Sequence, residues 1–398
     1  MTGTPASRLS GLQLVNPQRP GPGAPVWNHA TVAATDPRPL PEAPRRLEVE
    51  IAGAGRWWSL GEWLTGTHGT SLVVVDRGEV VHEWYADGVS ADDLLLGASM
   101  SKSALAHLVG VAVGGGALGL DDPVPRHVPE LADSGYGRCT VRHLVTMTTG
   151  VDWVEDHRDP TSLASRLLGC FSAASGDSRD LLRRVGAGAT PGTRWEYCTA
   201  DSQVLDWVRE RATGSTYTQA LGELWRVLGC ACDALVATDA TDAPGGPSDG
   251  TGGVPLAGGG LAATARDWAR LGMLQVDGTR DGTGEEPGRV LEREWVDRSC
   301  APPLAFLAPG RLPSSITTHA GFGYHWWPLD RRGRRVTADG SRGQFVYVDR
   351  DLEVVVVKTS RWPYDDWLAD RQYRDLSYLG LPEVAAAAAS ARPAAART

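Results

Sequence analysis

The pattern of hydrophobic and polar positions changes along the chain from strand-like to helix-like. Residues 71–76 and 79–85 are rich in valine and are joined by Arg77–Gly78, which together predict a β-hairpin. A mixed pattern just before them, over residues 47–64, predicts a short helix. From about residue 99 to 235, apolar residues recur every three or four positions, which predicts a series of amphipathic helices.

Strand-like patterns return in the last third of the chain. They cover residues 324–328, 344–349 and 353–358, after one more amphipathic helix that begins near residue 265. Strands near both ends of a chain, with helices between them, predict one sheet built from both ends and a helical region inserted into it. The expected class is therefore α/β plus α.

Composition along the chain suggests the domain boundaries. A Pro-, Arg- and Gly-rich start without a sustained period indicates an extended arm, and an Ala-rich end indicates a disordered tail after a closing helix at about 365–379. A Gly- and Pro-rich linker at 241–253 marks the end of the helical region. The predicted boundaries are 1–47 for the N-terminal arm, 48–115 with 255–380 for the discontinuous sheet domain, 116–254 for the mainly helical domain and 381–398 for the tail.

Charge and cysteine content narrow the classes of function. The 398 residues carry a formal net charge of -9 and contain no long basic block, so nucleic acid and anionic membranes are not expected partners. The N-terminal residues lack the pattern of a signal peptide and no apolar run approaches a membrane span, so we expect a cytoplasmic protein. Six scattered cysteines, without a CxxC pair, are then expected as free thiols: Cys139, Cys170, Cys198, Cys230, Cys232 and Cys300.

The strongest chemical candidate is the segment Ser99-Met-Ser-Lys102, at the start of a predicted apolar helix. Residues three apart lie on nearly the same face of a helix, so Ser99 and Lys102 are expected to be neighbours. Burial and the positive end of the helix dipole both disfavour a protonated amine at this place. Lys102 is therefore a candidate proton acceptor for a serine nucleophile. The alternative is a chance match, because Ser-x-x-Lys alone is a weak motif.

Lysine usage supports the catalytic interpretation. The chain has 39 basic residues, and only Lys102 and Lys358 among them are lysines. Arginine stays protonated in proteins, whereas burial can make a lysine neutral. We therefore expect Lys102, at the start of an apolar helix, to act by changing its protonation state.

Two further segments carry possible chemistry. Tyr197 precedes a predicted helix, and a tyrosine beside a cationic lysine is expected to lose its proton more easily and to relay protons. Residues 338–344 form a glycine-flanked edge directly before a strand, where a backbone N–H can approach a carbonyl oxygen together with the N–H of Ser99. The simpler interpretations are a partly buried aromatic residue and an ordinary turn.

Taken in order, these three elements resemble the motifs of the serine β-lactamase and penicillin-binding superfamily. The chain is most similar to the aminohexanoate-dimer (nylon-oligomer) hydrolases and lactamase-like carboxylesterases, over roughly residues 70 to 375. The resemblance implies a β-lactamase/transpeptidase-like fold, with an antiparallel sheet domain flanked by helices and an inserted helical domain. It also implies Ser99 as nucleophile, Lys102 as base, Tyr197 as the tyrosine of the second motif, and the N–H groups of Ser99 and Ser341 as the oxyanion hole.

Three departures from the family pattern bear on the substrate. Thr199 stands where lactamases have asparagine, and residues 338–340 read Ala-Asp-Gly where they have Lys-Thr-Gly. The missing lysine removes the group that would hold a lactam carboxylate, so weak β-lactamase activity is expected. His157 occupies the place of a substrate-contacting tyrosine in the nylon-oligomer hydrolases. By resemblance, His157, Gly340 and Ser341 are the predicted substrate-binding residues.

The resemblance implies a serine hydrolase that cleaves small linear amides or short-chain esters through an acyl-enzyme on Ser99, without a metal or an organic cofactor. The expected partners are a small-molecule amide or ester substrate and, at most, a second copy of the chain. One alternative is an acyltransferase or D-peptide-directed peptidase that uses the same acyl-enzyme. A non-enzymatic alternative is a catalytically silent binding protein with this fold.

Overall fold

The computed structural model describes residues 27–172, 176–239, 253–280, 289–301, 319–362 and 371–393. Its strands are β1 His29–Val32, β2 Glu50–Gly53, β3 Arg56–Ser59, β4 Gly69–Asp76, β5 Glu79–Tyr85, β6 Leu95–Leu96, β7 Ala234–Ala237, β8 Leu261–Ala263, β9 Trp327–Pro328, β10 Arg335–Gly340, β11 Gln344–Asp349 and β12 Val354–Ser360. Its helices are α1 Leu60–Gly66, α2 Ser101–Gly114, α3 Val124–His127, α4 Val141–Val145, α5 Leu163–Ser172, α6 Ser178–Arg183, α7 Thr199–Thr213, α8 Tyr217–Leu228, α9 Ala265–Asp277, α10 Arg293–Cys300 and α11 Arg371–Ser390. A short 3-10 turn, Ala98–Met100, leads directly into α2.

The central sheet is antiparallel, with the strand order β5-β4-β12-β11-β10-β9. β4 and β5 are the predicted hairpin, and its turn residues Arg77 and Gly78 both have positive φ, 50° and 82°, as a type I′ turn requires. β11 and β12 confirm the strands predicted at 344–349 and 353–358. β10 was missed, because its polar sequence becomes a strand only through pairing with β9 and β11. The strand predicted at 324–328 is limited to its last two residues.

Side chains of the central sheet alternate between two hydrophobic cores. On β4, Val73 and Val75 belong to the core that includes α2 and α9, whereas Leu72 and Val74 belong to the core beneath α11. The valines of β12 divide in the same way. Since both faces are covered, these strands are almost continuously apolar. Complete burial of one valine contributes about 1.5–3 kcal/mol, so the two cores account for much of the stability of the sheet.

The predicted helical region contains α3 to α8, and α2 runs between it and the central sheet. α2 contacts α7 on one side and β10 on the other, and its first eight residues are all buried. A second antiparallel sheet, in the order β1-β7-β8-β6, connects the two parts. Its strand β6 ends two residues before the turn that carries Ser99, so this sheet fixes the approach of the chain to that turn.

The predicted N-terminal arm is wrong for part of its length. β1 pairs with β7 in register from His29 opposite Ala237 to Val32 opposite Ala234, and Trp27 and Val32 are buried. A four-residue edge strand is too short to show a sequence period, and its stability comes from its partner. The helix predicted over 47–64 is also mostly wrong, because the β2–β3 hairpin precedes the short helix α1.

The predicted tail over 381–398 requires a correction. α11 continues through Ser390, and Leu381, Val384, Ala385 and Ala388 on it are fully buried against the central sheet. Small side chains at this helical spacing allow the helix to lie close to the strands. The Ala-rich composition of this segment does not by itself reveal that packing. The linker at 241–253 lies almost wholly outside the described residues, as do residues 394–398 and part of the predicted closing helix.

The described residues include all six cysteines, none of which forms a disulfide, and five of them are buried. Within the described ranges, no helix combines the length and the apolar character needed to cross a membrane.

Candidate active site

Ser99 and Lys102 meet at the start of α2, as their spacing predicts. The Lys102 Nζ lies 3.1 Å from the Ser99 Oγ. Ser99 is partly exposed on the 3-10 turn, whereas Lys102 is only 3% exposed. Ala98, directly before the serine, has a φ of 45°, which is uncommon for a residue with a side chain. The turn therefore presents the serine hydroxyl to solvent and the amine to the protein interior.

Both hydrogen-bond partners of the Lys102 amine are neutral groups. Its second hydrogen bond, of 2.7 Å, goes to the backbone carbonyl of Gly258. Gly258 lies so close to α7 that an added Cβ would be 3.0 Å from the Ser202 Cβ. Burial lowers the pKa of Lys102 to about 8, although Glu155 and Cys198 act to raise it. A neutral amine is thus accessible close to physiological pH.

Tyr197 lies next to this pair, immediately before α7. The Lys102 Nζ is 5.0 Å from the centre of its ring. Burial and the negative charge of Glu155 raise the pKa of Tyr197 well above its usual value, although the neighbouring Ser99 side chain acts to lower it. The expectation that lysine would ease ionisation of Tyr197 is therefore wrong for the resting site. The residue is therefore a neutral phenol in the resting site.

Glu155 is a site residue that sequence reasoning missed. Its carboxylate accepts hydrogen bonds from Trp153 Nε1 at 2.6 Å, from His157 Nε2 at 3.1 Å, and from both the backbone N–H and the hydroxyl of Thr199. Burial opposes ionisation, but His157, Lys102 and Thr199 hold the pKa of Glu155 down to about 2. In the sequence, Glu155 stands in a polar loop, where nothing distinguishes it from solvent-exposed acids.

His157 is placed by the structure against Glu155. Its side chain is 37% exposed, so it reaches the rim of the site. Thr199, at the position of the lactamase asparagine, also turns its hydroxyl to Glu155. Contact of His157 with substrate stays a prediction.

The β10–β11 turn brings Gly340 and Ser341 to the serine. A Cβ on Gly340 would lie only 2.0 Å from the carbonyl oxygen of Gly97, two residues before Ser99. Ser341 follows at the start of the turn, whose residues Arg342 and Gly343 both have positive φ. The end of β10 therefore abuts the backbone of the Ser99 turn, as an oxyanion hole made from both segments requires.

Aromatic side chains form one wall beside Tyr197. Trp327 stacks on the Tyr197 ring at 5.8 Å, and Phe322 and Trp195 pack against Trp327 edge-on or tilted. His319 stacks on Trp327 at 4.5 Å. The wall holds the tyrosine ring rigidly, so its hydroxyl has a defined position.

His319 also belongs to a small polar cluster at the end of β10. Its Nε2 lies 3.0 Å from Asp339 and 2.9 Å from the Tyr378 hydroxyl, which in turn donates to Asp339. Asp339 replaces the threonine of the Lys-Thr-Gly motif, and its charge acts on Tyr197. This edge of the site therefore has Ala338 in place of the lactamase lysine and carries a carboxylate on the next residue.

His325 is a buried histidine behind the site. Its Nδ1 donates to the Val145 carbonyl, and its Nε2 lies 3.0 Å from the Ser202 hydroxyl. Burial and the charge of Lys102 lower the pKa of His325 to about 3, so it stays neutral. It supports α4 and α7 and serves as a structural residue.

Comparison with known proteins agrees with this geometry. The profile of the beta-lactamase family matches residues 64–379. The chain is 32% identical over 346 residues to 6-aminohexanoate-dimer hydrolase from Paenarthrobacter ureafaciens, covering 85% of this chain and 83% of that protein. It is 31% identical over 173 residues to esterase EstB from Burkholderia gladioli, covering 39% and 44%. The solved structure of a putative 6-aminohexanoate-dimer hydrolase from Bacillus anthracis superimposes with a TM-score of 0.72, at 20% identity, over 95% of this chain and 98% of that one.

These similarities confirm the fold expected from the motifs. The antiparallel sheet with flanking helices and inserted helical region is the β-lactamase/transpeptidase-like fold. The matched relatives include an aminohexanoate-dimer hydrolase and an esterase by name. The chain belongs to the beta-lactamase family and is a serine hydrolase of that family.

Proposed function

We propose that this hydrolase cleaves small linear amide or short-chain ester bonds through an acyl-enzyme on Ser99. The observation that carries the proposal is the 3.1 Å contact between the Lys102 amine and the Ser99 hydroxyl, with Lys102 buried and its pKa lowered to about 8. A buried amine that can be neutral is a suitable base for a serine hydroxyl.

The first chemical step forms the acyl-enzyme. Ser99 Oγ attacks the substrate carbonyl carbon as its proton passes to Lys102 Nζ, and the carbonyl electron pair moves onto oxygen. The backbone N–H groups of Ser99 and Ser341 are proposed to bind that oxyanion, and one such donor typically contributes about 10²–10³-fold in rate. The tetrahedral intermediate then expels the amine or alcohol. The leaving amine or alcohol takes a proton from the Tyr197 hydroxyl, and Lys102 then returns a proton to Tyr197.

The second half of the reaction releases the acid. A water molecule attacks the acyl carbon and gives its proton to the Tyr197–Lys102 pair, and Ser99 Oγ leaves and is reprotonated. Neither half needs a metal or an organic cofactor. The same residues would serve an amine acceptor in place of water, which is the acyltransferase or D-peptidase alternative.

The substrate class follows from the charges around the site. Asp339 stands where a lactamase has its carboxylate-binding motif, and Glu155 adds a second fixed negative charge near Lys102. Two carboxylates repel an anionic substrate, so neutral or cationic linear substrates are favoured over lactams that carry a carboxylate. The named relatives, an aminohexanoate-dimer hydrolase and an esterase, support a linear amide or an ester as the substrate.

Intact-protein mass after exposure to a fluorophosphonate tests the proposal. Wild type should gain one adduct and Ser99→Ala none. Labelling of both variants would place the reactive residue elsewhere. Labelling of neither variant, even at high reagent concentration, would favour a silent binding protein.

Unlabelled wild-type enzyme can then be tested on short-chain esters, linear amides and a cephalosporin. Hydrolysis of esters or linear amides with poor turnover of the cephalosporin is the expected result. A product that contains an added amine, formed in preference to the free acid, would identify an acyltransferase. Efficient turnover of the cephalosporin would contradict the charge argument.

A further inference from the structure

Glu155 carries a fixed negative charge near Lys102, to which Thr199 and Gly258 link it. The Thr199 hydroxyl donates to Glu155, a Cβ on Gly258 would lie 3.4 Å from the Thr199 Cγ2, and the Gly258 carbonyl accepts from Lys102 Nζ. The two oxygens of Glu155 accept from Trp153, His157 and Thr199, so all four of their usual acceptor positions are occupied. Its side chain is 17% exposed. A carboxylate that is mostly buried and fully hydrogen-bonded stays ionised and in one place.

The placement of Glu155 is also tied to the catalytic elements. Thr199 is the first residue of α7, and the N-cap residue Cys198 makes no side-chain capping bond, so Glu155 supplies the acceptor for this helix terminus. Tyr197 lies two residues earlier. A displacement of the Glu155 side chain would therefore move the start of α7 and the tyrosine with it. This contact by itself would make Glu155 a structural cap.

Its effect on Lys102 goes beyond capping. Lys102 makes hydrogen bonds only to Ser99 and Gly258 within the described ranges, and it has no ion-pair partner there. Glu155 and Cys198 are the groups that favour its charged form. Burial raises the pKa of the Cys198 thiol, so this thiol is uncharged near neutral pH. The counter-charge available to a Lys102 ammonium is therefore Glu155.

We propose that Glu155 is a positioning residue that stabilises the Lys102 ammonium formed when Ser99 is acylated, and that His157 holds the Glu155 carboxylate in place for this role. The inference rests on the proposed function. When the Ser99 proton moves to Lys102, a positive charge develops in a dry site, where an unpaired charge is costly. Glu155 offsets that cost without contacting the substrate.

Other titratable groups face this pair and bear on its pH response. Burial raises the pKa of Asp201 to about 7, and it accepts from Tyr136 and Thr149 and faces Cys198 rather than Lys102. His325 stays neutral behind Lys102. The groups that surround Glu155 and Lys102 are His157, Tyr197, Cys198, Asp201 and His325.

The test compares the pH dependence of fluorophosphonate labelling of Ser99 in wild type, Glu155→Gln and Asp156→Asn. Glutamine keeps the shape of the side chain but removes its charge. Without that charge the ammonium is less stable, so the midpoint of the rise in labelling with pH should move to lower pH by about one unit. Because the Lys102 amine is then a weaker base, the labelling rate of Ser99 at the plateau should also fall about tenfold.

Asp156→Asn is the matched control. It removes a charge from the neighbouring residue of the same loop, and the Asp156 side chain faces Arg158 and caps its N–H. Its midpoint and plateau should equal those of wild type. A purely structural role for Glu155 predicts a lower plateau in Glu155→Gln with an unmoved midpoint, and that result would overturn the inference.

Two further variants complete the test. If Glu155→Gln does not fold, Glu155→Asp takes its place, because the shorter side chain keeps the charge but moves it away from Lys102. The midpoint of its labelling profile should then move to lower pH by less than one unit. An unmoved midpoint would again overturn the inference. His157→Phe removes a donor to Glu155 and should shift the profile towards that of Glu155→Gln. Absence of Ser99 labelling in wild type would instead refute the proposed function itself.

Discussion

The α-carbon of Gly340 packs against the carbonyl oxygen of Gly97. A Cβ at Gly340 would lie 2.0 Å from that oxygen, and one at Gly97 would lie 2.3 Å from the indole of Trp268. The end of β10 thereby touches the chain two residues before Ser99. This contact between two backbones, 243 positions apart in the numbering, sets the distance between the nucleophile and the turn that carries Ser341.

Gly340→Ala should separate these two segments. A backbone oxygen cannot move aside as a flexible side chain can, so the strand end must shift and the proposed oxyanion hole must widen. We expect Ser99 labelling at least about tenfold slower, with a lowered melting temperature. Gly61→Ala, on α1 with open space at its Cβ, is the control and should keep full labelling. Wild-type labelling in Gly340→Ala would show that β10 is not needed for acylation.

The labelling rate of wild type should rise with pH, with a midpoint near 8. Burial lowers the pKa of Lys102 to about 8, and only the neutral amine above that pH accepts the Ser99 proton. The measurement is the rate of fluorophosphonate adduct formation as a function of pH. A rate that does not change between neutral and alkaline pH would remove Lys102 as the base.

Lys102→Arg should abolish acylation, because a guanidinium cannot accept the proton. Since arginine also cannot lose its charge on burial, labelling is compared after correction for the folded fraction measured by circular dichroism. Lys102→Met removes the charge as well as the base and serves as the control for stability. Labelling of folded Lys102→Arg at the wild-type rate would contradict the assigned role.

Tyr197→Phe should reduce turnover by about a hundredfold or more if its hydroxyl delivers the proton to the leaving group. The loss should be large for an alkyl ester or a linear amide and small for a nitrophenyl ester, whose leaving group departs without a proton. Steady-state rates on both substrate types provide the measurement. An equal loss on both would indicate that the phenyl-ring packing with Trp327 is disturbed instead.

Lys358→Met should stabilise the protein. Lys358 is fully buried on β12, bonded to the Ser360 hydroxyl and flanked by the rings of Trp63 and Phe345, without a carboxylate partner in the described ranges. Burial lowers the pKa of Lys358 to about 7, from an ordinary value of 10.5. The unfolded chain then binds the proton more readily between these two values, so wild-type stability should rise with pH across that window.

The advantage of Lys358→Met is therefore largest below about pH 7 and fades towards about pH 10.5. We expect a gain of a few kcal/mol at its maximum, since each unit of pKa shift corresponds to about 1.4 kcal/mol. Denaturant unfolding of both proteins at neutral and alkaline pH measures it. A gain that is independent of pH would mean that packing, rather than the buried amine, is responsible.

Local sequence determined the parts of the site that depend on near neighbours. Ser99 and Lys102 are three residues apart on a helix start, so helix geometry alone brings them together, and the structure confirms it. The Arg77–Gly78 turn and the valine-rich strands were predictable for the same reason, since turn chemistry and β-branched side chains act over a few residues. The motif order further indicated the fold and the family.

Only the tertiary structure decided which groups surround Lys102. The Gly258 carbonyl, 156 positions away, accepts from the amine, and the Glu155 carboxylate, on a separate loop, acts on the amine through its charge, because α2 packs against α7. The protonation state of Tyr197 was mispredicted, because it depends on burial and on Glu155 rather than on the lysine beside it. Dielectric environment and long-range charge are properties of the folded molecule, and no residue type or short spacing encodes them.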